Sequence, residues 1–236
     1  MPGLSPLPYD RWIVRDDAFN DQMALKDKLA KDHLPDIYAI SSGIADMREE
    51  LLDLVLEQLK SDPDYVFDGQ CVTRPDGVTI DTHELPPLVA VGRLIQEDIA
   101  ILRPVGGEYV LGAGFIAFPA SWTLKEKIGR PLHAIHDPVT GYTPDMARRI
   151  HRILTQIQHG AALQRANFLK YNDPTLYQPR TEGKERPFSA SRKWWLRVET
   201  QSIFKLPRSG GIIFAIHTWQ TPAAELSPTM RAKLAQ

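Results

Sequence analysis

Residues 196–219, LRVETQSIFKLPRSGGIIFAIHTW, hold the reading on which the fold turns. Two runs rich in β-branched and aromatic residues flank Pro207-Arg208-Ser209-Gly210-Gly211, a turn by composition, and together they give the strongest hairpin signal in the chain. In the first run Arg197, Glu199 and Gln201 alternate, which puts all three on one face of a strand. Such a face is either turned to solvent or lines a pocket, and half-exposed antiparallel strands commonly look this way. Trp194, Trp195 and Trp219 crowd the same hairpin. They suit core packing, or an aromatic wall for a flat ligand or a cationic amine.

Working outward, QEDIAILRPVGGEYVLGAGFIAFP (96–119) predicts a second hairpin around Gly106-Gly107. Gly112 and Gly114 inside its second run imply a bulge or something bulky close to the backbone. CVTRPDGVTID (71–81) reads as strand, Pro-Asp-Gly turn and a further extended piece. Between these lie helical patterns. SSGIADMREELLDLVLEQLK (41–60) carries an apolar stripe of Ile44, Met47, Leu51, Leu54, Val55 and Leu59, with Ser41 or Ser42 as cap. SWTLKEKIG predicts a short helix capped by Ser121 and stopped by Gly129. TPDMARRIHRILTQIQHGAALQ predicts a longer one, capped by Thr143 with Pro144 in its first turn. Segregated hairpins and helices predict an α+β domain with a sheet of about five antiparallel strands. Residues 1–40 read as an arm packed on that domain, 41–222 as the domain itself, and 223–236 as a tail.

Composition narrows the function. Of 236 residues, 43% are hydrophobic and 24% charged, enough to bury a real core. Lys plus Arg, 28, nearly cancel Asp plus Glu, 29, so no global field points to nucleic acid or an anionic membrane. The opening MPGLSPLPYDRW lacks the pattern of a signal peptide and no apolar run is long enough to span a bilayer, so the expectation is a cytoplasmic protein. The single cysteine, Cys71, reads as a small buried hydrophobe and forbids a Cys-based zinc site or an iron–sulfur cluster held by this chain alone. No Walker loop, dinucleotide fingerprint, HExxH or nucleophile elbow is present.

LHAIHDPVTGY (132–142) places His133 and His136 three apart. Pro138 disfavours helical geometry at Asp137, so His136 is expected where the chain turns extended. A neutral imidazole there suits iron if its second nitrogen is held by a carbonyl or carboxylate. Spacing alone equally allows two solvated loop histidines, and Asp137 is too near in sequence to complete a non-haem triad easily.

The blocks QEDIAIL, FPASWTLKEKIGRPLHAIHDPVTGY, RANF and LRVETQSIFKLPRSGGIIFAIHTW, in this order over residues 40–222, resemble the haem-dependent oxidative N-demethylase family. The resemblance implies a PAS-like sheet against which haem b lies, bound through histidine. It implies an oxidoreductase that uses dioxygen to remove a methyl group from a small secondary amine as formaldehyde. Electrons come from a separate reductase carrying FMN, 2Fe–2S and NADPH chemistry. It makes His136 the haem-iron ligand, with His133 and His217 as alternatives. It makes Arg197 and Arg165 propionate partners, Glu199 the amine-facing carboxylate, and Gln201 and Asn167 members of the same cofactor-binding blocks. The chain departs from the family at Thr140, where a second Pro is usual, at Thr200, in place of Arg, and at His217-Thr218-Trp219, in place of Arg-Thr-Tyr. These departures leave open a haem sensor or gas binder, or an interaction module without haem.

Overall fold

The structure, a computed structural model, describes residues 3–137, 143–184 and 186–234. The first forty residues supply strand β1 (Ser5–Leu7), helix α1 (Phe19–Asp32), the short α2 (Leu34–Ile37) and strand β2 (Tyr38–Ile40). The predicted stripe forms α3 (Ala45–Leu59). Its N-cap position is Ile44, because Ser41 instead donates its hydroxyl to the Gly112 carbonyl. Strands β3 (Val66–Asp68), β4 (Cys71–Thr73) and β5 (Thr79–Asp81) make a small meander, and α4 (Pro87–Leu94) follows.

Next come the Gly106-Gly107 hairpin of β6 (Asp98–Val105) and β7 (Glu108–Phe115), then helices α5 (Leu124–Lys127), α6 (Leu132–His136) and α7 (Pro144–Gln156). Three long strands complete the domain: β8 (Ala162–Tyr171), β9 (Trp195–Lys205) and β10 (Ile212–Pro222). A single 3-10 turn (Ala223–Glu225) and α8 (Pro228–Leu234) end the described chain.

The main sheet is antiparallel throughout, with strand order β1-β8-β9-β10-β6-β7-β2. The expected five strands are therefore seven, and a separate three-stranded sheet stands beside them. Strands β1 and β2, from the expected arm, pair with β8 and β7 at the two ends of the sheet. The first forty residues thus do more than pack as an arm. They leave the sheet with edge strands of only three residues each, which offer little to pairing by other chains.

A second correction concerns β8. Residues 161–164 read as the tail of a long helix, whereas α7 ends at Gln156, Ile157 is extended and Gly160 turns the chain with φ +77°. The start of α7 is as predicted: Thr143 Oγ1 accepts the Met146 amide at 3.2 Å, and Pro144 occupies the first turn.

The sheet is a middle layer. On one face lie α1, α3 and α4, sharing a core with Ile99, Ile101, Phe115, Phe204, Ile213 and Ala215. On the other lie α5, α6 and α7, sharing a core with Ala100, Leu102, Leu111, Ile203, Ile212 and Phe214. Gly112 and Gly114 prepare this junction. The β6–β7 register shifts between Ile101 and Leu102, which leaves Gly112 as the extra residue of a bulge. A Cβ on Gly114 would lie 2.7 Å from Leu124 of α5, so that helix could not pack as closely.

Candidate active site

The β9 alternation holds, and the register extends it. Arg165 lies opposite Gln201, Asn167 opposite Glu199, and Leu169 opposite Arg197. On the other side of β9, Thr218 faces Glu199 and Gln220 faces Arg197. Directly opposed residues of an antiparallel pair share a face. All of these therefore stand on the face that continues the core of Ile203, Ile212 and Phe214, the face covered by α5 to α7.

His136 arrives on the same side from α6, whose Leu132 and Ile135 pack into that core. Its Nδ1 lies 2.8 Å from the Leu132 carbonyl oxygen, one turn back. A carbonyl only accepts, so Nδ1 carries a proton. Burial holds the His136 pKa below its ordinary value. The Leu132 bond opposes this shift, and the charges of Lys127 and Arg165 add to it. Asp137 keeps helical backbone angles, φ −50° and ψ −40°, so His136 closes a helical turn and is not at the start of an extended run. The preference imposed by a following proline is outweighed here by continuation of α6.

Arg165 has a buried Nε with no hydrogen-bond acceptor among the described residues. Thr218 Oγ1 and Gln220 Nε2, on the same face, are likewise buried without partners. Buried polar groups normally find a partner, so these three, like the unpartnered atoms elsewhere in the fold such as Glu97 Oε2 and Arg103 Nε, can take a further polar group. The donor set fits haem: a neutral imidazole fixed through Nδ1, and a guanidinium suited to a carboxylate.

A family model described as haem-dependent oxidative N-demethylase, alpha subunit-like, matches residues 3–236. The chain belongs to that family. Within this N-demethylase-like chain the remaining nominated residues fall as follows.

Arg197 is fully buried and already has partners. Its Nε donates to Glu199 Oε1 at 3.1 Å, Nη1 to the Leu176 carbonyl at 3.1 Å, and Nη2 to the Phe118 carbonyl, with Nη2 3.0 Å from Glu199 Oε1. A buried guanidinium needs an anion, and Glu199 is the nearest on its own strand face. Gln201 is buried, and Asn167 half-buried, beside Arg165.

His217 does not reach this face. It lies on the opposite side of β10, where Nδ1 donates to Glu97 Oε1 at 2.9 Å and Nε2 to Asp16 Oδ2 at 3.3 Å. Burial works against its charge, and the hydrogen bonds and charges of Glu97 and Asp16 override burial and raise its pKa. With both nitrogens donating, His217 has no lone pair for iron, and its alternative ligand role is set aside. His133 is exposed, 3.2 Å from Glu108. It borders an open cleft of about 560 Å³ with Tyr109, Asp137, Thr143, Arg148 and His151, which includes none of the sheet residues above.

Trp219 also sits on the His217 face, its ring 4.7 Å from the imidazole, so it is no wall for Glu199. Thr140 lies outside the described residues. Cys71 is half-buried on β4. Sequence reading left Lys127, Thr218 and Gln220 unassigned. Of these only Thr218 had a signal, its place in the departing His-Thr-Trp block.

No helix among the described residues is long and apolar enough to cross a membrane.

Proposed function

We propose that the chain is a haem-dependent monooxygenase that removes a methyl group from a small secondary amine. In this reading haem b lies against the face carrying Arg165, Asn167, Glu199 and Gln201, with His136 as iron ligand, and the five long strands β8-β9-β10-β6-β7 serve as its PAS-like platform. The observation that carries the reading is convergence. Residues from α6, β8 and β9 meet on one side of the sheet, one of them a neutral histidine and another a cation with a buried, unsatisfied N–H.

Bound haem supplies dioxygen activation, tuned by its axial ligand and surroundings. The chain's residues do the rest. The Leu132 carbonyl fixes the tautomer and orientation of His136. Arg165 offers a propionate the forked charge that Lys cannot, and Asn167 and Gln201 add neutral polar contacts beside it. Arg197 holds Glu199 through one carboxylate oxygen and leaves the other for an N–H of the amine. In each turnover the amine, one dioxygen, two electrons and two protons give the demethylated amine, formaldehyde and water. The N–CH₃ bond breaks and one oxygen atom leaves with the carbon. The electrons come from a separate reductase, because the lone Cys71 cannot hold a cluster by itself.

The test is an absorption spectrum of haem-supplemented protein, wild type beside His136→Ala, followed by formaldehyde assay with dimethylamine and a reductase. A Soret band that shifts or disappears in the variant, with circular dichroism unchanged, supports the site. An unchanged band removes His136 from iron. A wild-type band without formaldehyde makes the protein a haem sensor or gas binder.

A further inference from the structure

At the end of the main sheet where β8 finishes and β9 begins, cations collect without counter-charges among the described residues. Lys170, Arg186, Arg192, Lys193 and Arg231 lie there, and none makes an ion pair with a described carboxylate. Stacking and hydrogen bonds tie them together. Arg186 stacks 3.9 Å over the Tyr171 ring and donates to the Lys170 carbonyl. Lys193 lies 4.9 Å from the Trp195 ring centre, and Lys170 reaches over Phe188 and donates to the Leu234 carbonyl of α8. Arg192, Lys193 and Trp194 share a cleft of about 230 Å³ with Pro222 and Arg231.

Residues 186–196 contain three cations and no acid, in a chain whose total charge is −1. Several surface cations elsewhere are matched, as in Arg15 with Asp62 and Asp64, Arg149 with Asp145, and Arg208 with Asp53. An uncompensated cluster repels itself, and nothing in the folding of this domain requires it.

Beside the cluster lies an apolar row. Phe168, Val198 and Trp219 oppose one another across three strands, and Phe168 and Lys170 are alternate residues on one face of β8. Phe168 is 58% and Trp219 37% exposed. Tyr171 and Trp195, with Arg186 and Lys193 over them, stand on the opposite face of the same strands. The cations therefore wrap the end of the sheet and the apolar row borders them on one side, an apolar patch with a charged rim as in protein interfaces. A nucleic acid would want open rings for stacking, yet Tyr171, Trp195 and Phe188 each already carry a cation.

We infer that this end of the sheet docks a protein partner through an acidic face on that partner. Its position adds a reason. Trp195 and Glu199 are four residues apart on β9, about 13 Å, so the surface and the site are two stations on one strand. Under the proposed function the partner is the electron donor. That identity rests on the reading above, whereas the acidic docking surface does not.

The experiment uses the full chain, haem-free and haem-loaded, with fluorescein-labelled poly-L-glutamate as probe and polarisation as readout. Wild type binds, with affinity that falls as salt rises from about 20 to about 200 mM. Arg192→Glu/Lys193→Glu/Arg231→Glu weakens binding about tenfold or more, and Arg148→Glu/Arg149→Glu on α7 leaves it unchanged. Should the triple variant lose its circular dichroism, Lys193→Ala and Arg231→Ala singly are each expected to weaken binding two- to threefold, on the order of one rim charge. No binding by wild type, or equal loss in the α7 variant, overturns the inference. So does tighter binding of a single-stranded DNA oligonucleotide through the same residues. Because no activity is read, failure of the proposed function leaves this result standing.

Discussion

His136 and His217 flank the same sheet from opposite faces, and their surroundings make them different reagents. His217 is ringed by carboxylates, whose hydrogen bonds and charges raise its pKa above the ordinary value. On its side of the sheet the buried cations are matched: Lys26 sits 3.2 Å from Asp98, and Arg74 meets Asp27 and Asp76 at 2.8 and 2.6 Å. His136 has a carbonyl on one nitrogen and cations nearby, and it is held neutral. On its side Arg165 keeps a buried N–H without an acceptor. Both faces keep some buried polar atoms without partners among the described residues, Glu97 Oε2 beside His217 among them. The contrast lies in the charges around each ring: carboxylates surround His217, whereas cations stand near His136. The comparison also accounts for a family departure. His217, where the resemblance expects Arg, still supplies a positive charge between Glu97 and Asp16.

Four outcomes break or sharpen this contrast. The largest effect is expected from His136→Ala: haem-dependent demethylation falls by more than the ~10–100-fold typical of losing a supporting group around a metal ligand. Urea unfolding of the haem-free protein stays where it was. Equal losses in both measurements would erase the division of labour. His217→Ala should do the reverse. It strands Glu97 and Asp16 as buried anions and lowers stability by about 3–5 kcal/mol, read from the urea midpoint. The haem spectrum of the protein that remains folded is unchanged.

Arg165→Met keeps the stem and removes the charge. Haem affinity by Soret titration should drop about tenfold, with stability altered by no more than about 0.5 kcal/mol. A stability loss like that of His217→Ala would mean Arg165 is structural.

The smallest effects are in pH dependence, and the two histidines act in opposite directions. The raised pKa of His217 contributes stability that is fully present below the ordinary 6.5 and lost as pH climbs through the folded value. The lowered pKa of His136 contributes stability present above 6.5 and lost as pH falls through its folded value. His217→Arg should therefore flatten only the alkaline limb of a stability–pH curve of haem-free protein, and His136→Ala only the acid limb. A shared limb would show that the two sites are coupled through β10.

Much of the architecture was legible. The hairpins, the Thr143 cap and the bulge at Gly112 follow from short-range chemistry: turn residues, a side-chain oxygen for a free amide, a residue without Cβ where Ile44 comes within 2.6 Å of a would-be Cβ. The β8 strand was hidden because Ala161-Ala162-Leu163-Gln164 has good helical propensity after a strong helix. Its strand state comes from pairing with β9 and β1. The same limit concealed β1 and β2, each three residues long, which exist only because the sheet offers them an edge.

The sequence by itself determined that Arg197, Glu199 and Gln201 share one strand face, that His136 is a candidate for iron, and to which family the chain belongs. These are consequences of a two-residue period and of matched blocks, both local along the chain. Only the tertiary structure decided that Arg165 and Asn167 stand opposite Gln201 and Glu199, that Arg197 is tied to Glu199, and that the pKa of His217 is raised while that of His136 is lowered. Protonation depends on whatever lies within a few ångströms, and for His217 those groups come from 120 and 201 residues away.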